Sequence, residues 1–351
     1  MTDNKQPTTN HKQLTNNNKQ PTRNDNWTPL HGRLHQTLRQ RGLLPRRRRI
    51  LVAVSGGQDS LCLIKLLLDL QPKWEWELAM AHCDHRWAAD VGIAIHVQQI
   101  AQNFGIPFYL QTASEVNENE AAAREWRYQV LSQIALTQGY HNVVTGHTKS
   151  DRAETVLYNL IRGAGADGLQ SLTWQRPLVN GVQLVRPLLD VTRTETLQFC
   201  QEQELPIWED PYNQDLNYAR NRIRQELLPY LKTHFNPQVE TALSQTAEVL
   251  RAEVDYLENA AFELWQKAII SDTEDKPDTP LKLNRLILRQ APLALQRRVI
   301  RKFITTVQAT APTFEQIEAI TALINAPNRS RTSSFSGGSI AQVEGNSITF
   351  C

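Results

Sequence analysis

Residues 50–60 read Ile-Leu-Val-Ala-Val-Ser-Gly-Gly-Gln-Asp-Ser, and this stretch decides the fold. Its first half, residues 50–54, is a short apolar run rich in β-branched residues, which is typical of a buried strand. A polar loop with two glycines follows, and residues 61–70 then have the length and leucine content of a buried helix. This order of strand, loop and helix favours an α/β protein.

The loop between the strand and the helix has the features of a phosphate-binding site. Gly56 and Gly57 allow close backbone approach, the loop N–H groups point at oxygens, and the helix dipole favours negative charge. The loop lacks the Gly-Lys-Ser/Thr ending of a Walker A motif. The alternative is an ordinary strand-to-helix turn in which Ser60 caps the helix. Two serines, two glycines and an acid favour the phosphate site over that turn.

The composition predicts a multidomain protein without a membrane span. A chain of 351 residues exceeds the usual size of one core, and its hydrophobic content is 40%. No apolar run approaches membrane-spanning length. The polar N-terminus lacks the apolar core of a secretory signal, and residues 1–27 are predicted to be a disordered tail.

The distribution of charge and the positions of the cysteines further restrict the class of protein. The net charge is only +2, but basic residues before Ile50 far outnumber acids and end in the run 46–49. Such a run is most often a solvated tail, although beside a nucleotide loop it favours a nucleic-acid partner. The four cysteines form no Cys-X-X-Cys pair, which argues against a zinc or iron–sulfur site and fits a reducing cytoplasm.

Strand-like and helix-like segments alternate along the first part of the chain. The predicted strands are 50–54, 78–82, 108–111, 143–146 and 183–186. The predicted helices are 61–70, 91–104, 120–137, 152–161 and 194–204. This alternation indicates a mostly parallel, doubly wound sheet covered on both faces. Because ligands bind outside the carboxyl ends of such strands, the residues that follow each strand are the site candidates.

The character of the sequence changes after about residue 230. Residues 236–267, 293–306 and 314–324 show helical apolar spacing, which predicts a separate, smaller helical domain. Residues 332–350 contain Gly337 and Gly338 between short Ile/Val runs, which predicts a small hairpin.

Polar clusters follow two of the predicted strands. His82, Asp84 and His85 follow the second strand, where they would frame an adenine or phosphates; alone, they would be an ordinary polar loop. Asp151 and Glu154 follow the fourth strand at i, i+3, so both carboxylates face one way. They suit magnesium or a cationic substrate, although Asp151 could simply cap a helix.

Two basic segments have open interpretations. Arg124 lies four residues after Glu120, which indicates either a surface ion pair or a cation over the nucleotide or substrate pocket. Residues 218–224 combine a tyrosine with alternating basic residues, which offers phosphate contacts and a stacking surface for unpaired bases. A domain junction with solvated arginines explains the second segment nearly as well.

The order of these motifs resembles the tRNA(Ile)-lysidine synthetase family, whose loop Ser-Gly-Gly-X-Asp-Ser belongs to PP-loop ATP pyrophosphatases. The resemblance covers residues 49–231 closely and residues 236–350 more faintly. The segments that carry it are 55–60, 82–86, 120–128, 146–155, 162–165, 186–189, 208–215 and 220–231. Two positions depart from the family pattern of adjacent aspartates followed by Gln, because Ser150 replaces an aspartate and Arg152 replaces the Gln.

The resemblance implies a PP-loop ATPase fold of the adenine nucleotide alpha hydrolase type in residues 28–230 and a tRNA-binding helical domain in 231–351. It implies ligation of L-lysine to C2 of the wobble cytidine of a minor isoleucine tRNA, through an adenylated cytidine, with ATP and Mg²⁺. The ATP-binding residues would be Ser55, Gly56, Gly57, Gln58, Asp59, Ser60, His82, Asp84 and His85. The catalytic or lysine-binding residues would be Arg124, His147, Asp151 and Glu154. The tRNA-binding residues would be Arg220, Asn221, Arg222 and Arg224, and Asp59 and Asp151 would hold magnesium.

The partners implied are tRNA and L-lysine in the cytoplasm, with no membrane; a homodimer is left open. Two other functions remain as alternatives: a PP-loop tRNA thiolase that acts on cytidine or uridine, and a non-catalytic tRNA-binding protein with a nucleotide pocket. The isolated cysteines argue against the first, and the intact phosphate loop argues against the second.

Overall fold

A computed structural model describes most of the chain. The described residues are 27–87, 91–115, 120–209, 215–270, 281–308, 311–335 and 338–351. Outside them lie the predicted tail except for Trp27, residues 210–214 of the motif at 208–215, and Gly337. The chain forms two compact units, Met1–Thr148 with Trp174–Tyr212, and Lys149–Thr173 with Asn213–Cys351.

The described elements were numbered in chain order. The strands are β1 (Arg49–Ala53), β2 (Glu77–Asp84), β3 (Phe108–Thr112), β4 (Asn142–Thr145), β5 (Gln175–Val179), β6 (Val182–Val185), β7 (Ile269–Ile270), β8 (Lys282–Asn284), β9 (Ala341–Glu344) and β10 (Ser347–Phe350). The first helices are α1 (Pro29–Gln40), α2 (Gln58–Trp74), α3 (Ile93–Phe104), α4 (Glu120–Gln138), α5 (Lys149–Ile161), α6 (Ala166–Leu169) and α7 (Arg193–Glu202). The later helices are α8 (Ala219–Arg222), a π-helical turn (Ile223–Leu227), α9 (Leu228–His234), α10 (Val239–Ala268), α11 (Arg285–Arg289), α12 (Leu293–Val307) and α13 (Phe314–Leu323).

The first unit contains the predicted mostly parallel sheet, in the order β3-β2-β1-β4-β6-β5. β1 pairs in parallel with β2 on one side and with β4 on the other, so the strand order reverses beside β1. Ile50, Leu51 and Val52 are fully buried, which explains their uninterrupted apolar run. The carboxyl end of β1 is therefore the switch point at which such sheets bind ligands.

The edge strand β5 was not predicted. It runs antiparallel to β6, and its register shifts between Pro177 and Val179. The proline suits an edge position, because it has no N–H for a central hydrogen-bond ladder. α1 was also missed.

The basic run 46–49 lies at the amino end of β1, opposite the ligand-binding edge. Arg46 and Arg47 pair with Glu75 at 2.9 Å and 2.6 Å, and Arg49 pairs with Glu77 at 3.1 Å. Three arginines of this run therefore have acidic partners within the first unit, and a nucleic-acid contact of the run stays a prediction.

The second unit contains α5, α6 and the helices from α8 to α13 together with a four-stranded sheet, in the order β7-β8-β10-β9. The β9–β10 hairpin occupies the stretch for which a hairpin was predicted, but it belongs to this larger sheet. Phe303, Ile304 and Ile348 lie in the buried core that joins helices and sheet. α5 packs against α10, so residues 149–173 belong to the second compact unit.

No helix in the described ranges combines the length and the apolar character needed to cross a membrane.

Candidate active site

The phosphate loop is held in shape by its own serines. Ser60 Oγ accepts a hydrogen bond from the Ser55 N–H at 3.2 Å and donates one to the Gly57 carbonyl at 2.9 Å. Gly57, not Ser60, is the N-cap of α2, so the alternative in which Ser60 caps the helix is wrong. The first N–H groups of this 17-residue helix therefore face the loop, where a phosphate would accept from them.

Glycines allow the loop to pack this closely. Gly56 has a φ of +87°, a backbone conformation that L side chains rarely adopt. Gly146, which follows β4, lies against the first turn of α2. A Cβ at Gly146 would stand 2.8 Å from the Asp59 carbonyl oxygen and 3.0 Å from the Ser60 nitrogen. The cradle thus depends on a backbone-to-backbone contact between the end of β4 and the start of α2.

We expect Gly146→Ala to raise the KM for ATP by about ten- to a hundredfold, because the added methyl must displace the loop. ATP binding and ATP–pyrophosphate exchange measure this effect. Gly165→Ala is the matched control, since nothing lies within 4 Å of a Cβ at Gly165 and its φ is negative. Equal ATP affinities for both variants would contradict the prediction.

The side chains of Gln58 and Asp59 are directed at α7 and not into the loop. Gln58 Nε2 donates to the Arg193 carbonyl at 2.7 Å. Asp59 accepts from Arg193 Nε at 3.1 Å and from the Thr196 hydroxyl. Any phosphate contact of these two residues therefore comes from the backbone N–H. Sequence reasoning missed Arg193 and Thr196, although the Thr192–Glu195 capping box marks the start of their helix.

The His82 side chain is hydrogen-bonded to the backbone just after β1. Its Nδ1–H donates to the Val54 carbonyl at 2.8 Å, which leaves Nε2 as an acceptor. That atom is buried and has no hydrogen-bond partner within the described ranges. Burial lowers the pKa of His82, so its ring is neutral near pH 7. A buried, unpartnered acceptor fits a ligand that brings an N–H donor, such as adenine.

His85 belongs to an aromatic cluster and Asp84 to a turn. The His85 ring stacks on Trp87 with centroids 5.1 Å apart and meets the edge of Trp126 at 4.8 Å. Asp84 Oδ1 accepts from the Arg86 N–H at 2.8 Å. These flat rings offer a surface on which a base would stack.

The environment of His85 gives a pH-dependent prediction. Burial first, and then the Arg127 and His82 charges, lower its pKa to about 4. The unfolded chain keeps the ordinary value near 6.5, so it binds more protons between those limits and the free energy of unfolding falls as the pH drops from about 6.5 to 4. In urea denaturation, His85→Phe should lose less stability than wild type between pH 7 and pH 4.5. If wild type and His85→Phe lose the same free energy of unfolding over this pH range, His85 is not the source of the pH dependence.

Arg124 and His147 are the remaining predicted catalytic residues of the first unit. The Arg124 guanidinium lies 5.6 Å from the centroid of the Tyr128 ring. His147 Nδ1 is hydrogen-bonded to the Thr145 hydroxyl at 2.8 Å, which fixes its ring just beyond β4.

Within the second unit, the structure brings Asp151 and Glu154 together with Arg224. Arg224 donates to both oxygens of Glu154, at 2.7 Å and 2.8 Å, and approaches Asp151 Oδ1 at 3.9 Å. The Glu154 side chain is only 4% exposed, against 19% for Asp151. A guanidinium thus already lies beside the two acids, and the more accessible one is Asp151.

The predicted tRNA-binding residues separate into two pairs. Arg224 is ion-paired with Glu154. Asn221 is buried, and its side-chain amide donates a hydrogen bond to the Asp215 carbonyl at 2.9 Å. Arg222 is exposed, and Arg220 lies 5.7 Å from the Tyr158 ring centroid. Arg222 Nη1 donates to the Leu216 and Asn217 carbonyls at 2.8 Å and 3.1 Å, and a phosphate contact of Arg220 or Arg222 stays a prediction.

The side chain of Arg152, a residue that departs from the family pattern, is buried and links α5 to α10 and to the segment around Leu172. Its Nη2 and Nε donate to the Leu172 carbonyl at 2.6 Å and 3.0 Å, and Nη1 donates to Glu248 on α10 at 3.1 Å. It thereby fixes the start of α5, the helix that carries Asp151 and Glu154.

A protein-held magnesium ion fits these residues poorly. Arg193 already pairs with Asp59, and Arg224 lies near Asp151. No group of three His, Cys, Asp or Glu side chains among the described residues is arranged to hold a metal ion.

Two family models match the chain. A PP-loop domain matches residues 28–231, and the TilS substrate binding domain matches residues 283–345. A solved U34-tRNA thiolase from Methanococcus maripaludis has a TM-score of 0.52 at 20% identity, over 63% of this chain and 77% of its own. At that identity the likeness shows the fold alone, and it confirms the predicted α/β class.

Proteins named tRNA(Ile)-lysidine synthase match over most of the chain. The one from Nostoc sp. is 61% identical over 330 residues, which cover 92% of this chain and 96% of the relative. The one from Synechocystis sp. is 53% identical over 92% of this chain and 98% of the relative. A chloroplastic relative from Zygnema circumcarinatum is 37% identical over 82% and 78%. The resemblance in the motifs is thereby confirmed: the chain belongs to the tRNA(Ile)-lysidine synthase family, and its first part is a PP-loop domain that uses ATP.

Proposed function

We propose that this chain joins the ε-amine of L-lysine to C2 of the wobble cytidine of a minor isoleucine tRNA. The product, lysidine, changes codon reading from AUG to AUA. The observation that carries the proposal is the 55–60 loop, which is folded onto the N-terminus of α2 in a chain of the lysidine synthase family. The reaction needs both an activated base and a positioned amine, and the two predicted groups of residues supply them.

The first step is adenylation of the base. The C2 carbonyl of cytosine is amide-like and a poor electrophile until its oxygen becomes part of a leaving group. Attack of that oxygen on the α-phosphate of ATP forms the O–P bond and releases pyrophosphate. We assign Ser55, Gly57 and Ser60 to the phosphates through the loop and the helix N-terminus, which stabilise the charge on the departing pyrophosphate. His82 and the His85 cluster are assigned to the adenine.

The second step is attack of the lysine amine on C2, which forms the C–N bond and expels AMP. We assign Asp151 to an ammonium group of lysine, because its carboxylate is the more accessible of the two acids. Glu154 acts by fixing Arg224 beside it. Arg124 and His147 complete the proposed catalytic set, with the base that removes the amine proton unassigned.

Mg²⁺ is assigned to the phosphates of ATP, because the two carboxylates predicted to hold it are next to arginines. We further propose that residues 28–230 catalyse the reaction in the cytoplasm and that residues 231–351 help to bind tRNA. Arg220 and Arg222 are the proposed phosphate contacts; a homodimer remains a prediction without a structural argument.

Incubation of the protein with ATP, labelled lysine and bulk tRNA, followed by digestion to nucleosides, tests the proposal. The expected result is labelled lysidine with one AMP and one pyrophosphate per lysine incorporated. Pyrophosphate exchange that depends on tRNA distinguishes the enzyme from a tRNA-binding protein with a nucleotide pocket. A thionucleoside formed with a sulfur donor, and no lysidine, would instead establish the thiolase.

A further inference from the structure

A groove of about 700 Å³ lies in the first unit between α4 and the edge strand β5. Its surface is mostly apolar, and its charged side chains are two arginines against one carboxylate, that of Glu125. The residues that matter here are Arg124, Tyr128, Gln129, Gln133 and Arg176. We call it the arginine–tyrosine groove.

Three cations surround Tyr128 at this groove. The guanidinium carbons of Arg124 and Arg176 lie 5.6 Å and 5.1 Å from the centroid of its ring. Arg186, only 2% exposed, donates a hydrogen bond to its hydroxyl. Such a concentration of positive charge around a neutral ring is costly, and a bound anion would offset the repulsion.

The titration of these groups agrees with that geometry. Burial lowers the pKa of Arg186, Tyr128 opposes this effect, and Arg176 and Arg124 lower it further. Burial raises the pKa of Tyr128, but Arg186, Arg124 and Arg127 together bring it below its ordinary value. Like charges therefore repel within the cluster, while the tyrosine partly compensates for them.

The groove opens on the edge of the sheet that carries the phosphate loop. Arg176 pairs in register with Leu184, near the carboxyl end of β6, and the Arg186 N–H donates to the Trp174 carbonyl at 2.8 Å. Arg124 lies in the second turn of α4, the helix that follows β3. The carboxyl ends of β1 and β6 lie at one edge, because both strands run parallel to β4.

We propose that the arginine–tyrosine groove binds the sugar–phosphate backbone of the substrate tRNA, with Arg176 on a phosphate and Arg186 supporting it through Tyr128. This inference rests on the proposed function, and it adds an RNA contact separate from Arg220 and Arg222. Gln129 and Gln133 supply further donors along the groove. Arg124 keeps its catalytic assignment and contributes positive charge at the end nearer the nucleotide.

The test is the affinity of the full-length protein for tRNA, measured for wild type and Arg176→Gln between about 50 and 200 mM salt. Over this range, affinity that depends on phosphate contacts falls steeply. One lost phosphate contact should reduce the slope of log K against log salt by about 0.7–0.9 and weaken binding several-fold at low salt. Arg176→Lys should retain most of the binding, and the KM for ATP should not change. Arg46→Gln is the control, since Arg46 is ion-paired at the opposite edge of the sheet.

If Arg176→Gln changes neither the salt slope nor the affinity for tRNA, and its melting temperature is unchanged, the proposal that the groove binds tRNA is wrong. A higher KM for ATP with normal tRNA binding would also overturn it, because the anion would then be the nucleotide. If the wild type binds tRNA with the predicted arginine dependence but forms no lysidine, the groove stands and the proposed function fails. If the wild type forms lysidine and Arg176→Gln binds tRNA normally, only the groove fails.

Discussion

Asp151→Asn is expected to reduce lysine incorporation by about a hundredfold or more while leaving tRNA binding nearly unchanged. A charge-assisted contact to an ammonium group contributes about 1.5–3 kcal/mol, and the lysine amine that is no longer held in position by this contact reacts more slowly still. Asparagine keeps the shape of the side chain and removes only the negative charge. Because Glu154 is held in a bidentate pair with Arg224, it is not expected to replace the lost carboxylate.

The same variant separates the two chemical steps. Pyrophosphate exchange that depends on tRNA should continue, since the amine takes no part in adenylation. Asp255→Asn, an exposed aspartate on α10 that pairs with Arg251, is the matched control and should behave as wild type. Equal losses of tRNA affinity and lysine incorporation in Asp151→Asn would reject the assignment.

Arg224→Ala is expected to lower the free energy of unfolding by about 3–5 kcal/mol, since it leaves the nearly buried Glu154 carboxylate without its bidentate partner. The melting temperature should fall by roughly 10 °C, as thermal and urea denaturation would measure. If Arg224 only contacted tRNA phosphates, as the sequence alone predicted, its removal would leave stability unchanged.

Two variants sharpen this comparison. The double variant Arg224→Ala/Glu154→Gln should regain much of the lost stability, because it removes the buried charge together with its partner. Arg222→Ala, at an exposed position, should change stability by less than about 0.5 kcal/mol and weaken tRNA binding in a salt-dependent way. A stable Arg224→Ala protein with reduced tRNA affinity would restore the original prediction.

Local patterns predicted the parts of the molecule that local forces determine. The apolar run at 50–54 became β1 and the leucine-rich run became α2, because burial on both sides of a central strand leaves no room for polar residues. The glycines of the phosphate loop were recognisable because tight backbone approach excludes a Cβ. β5 was missed, since it is a short edge strand that contains Pro177.

The partners of the predicted site residues were not readable from the sequence. Arg193 follows Asp59 by 134 positions, and Arg224 follows Glu154 by 70, so nothing in the spacing connects them. The family resemblance assigned Arg224 to tRNA, whereas in the fold its guanidinium is paired with the Glu154 carboxylate. The ion pairs of the basic run with Glu75 and Glu77 were equally hidden, because these acids lie on the far side of α2 in the sequence.

The proline and the register shift in β5 have a consequence for self-association. An outer strand with regular, unpaired amides is a template on which a second copy could continue the sheet. Pro177 removes one donor, and the irregular register before Val179 breaks the spacing that an incoming strand would need. Copies of this chain are therefore not expected to assemble by extending the sheet past β5, and replacement of Pro177 would expose the protein to aggregation along that margin.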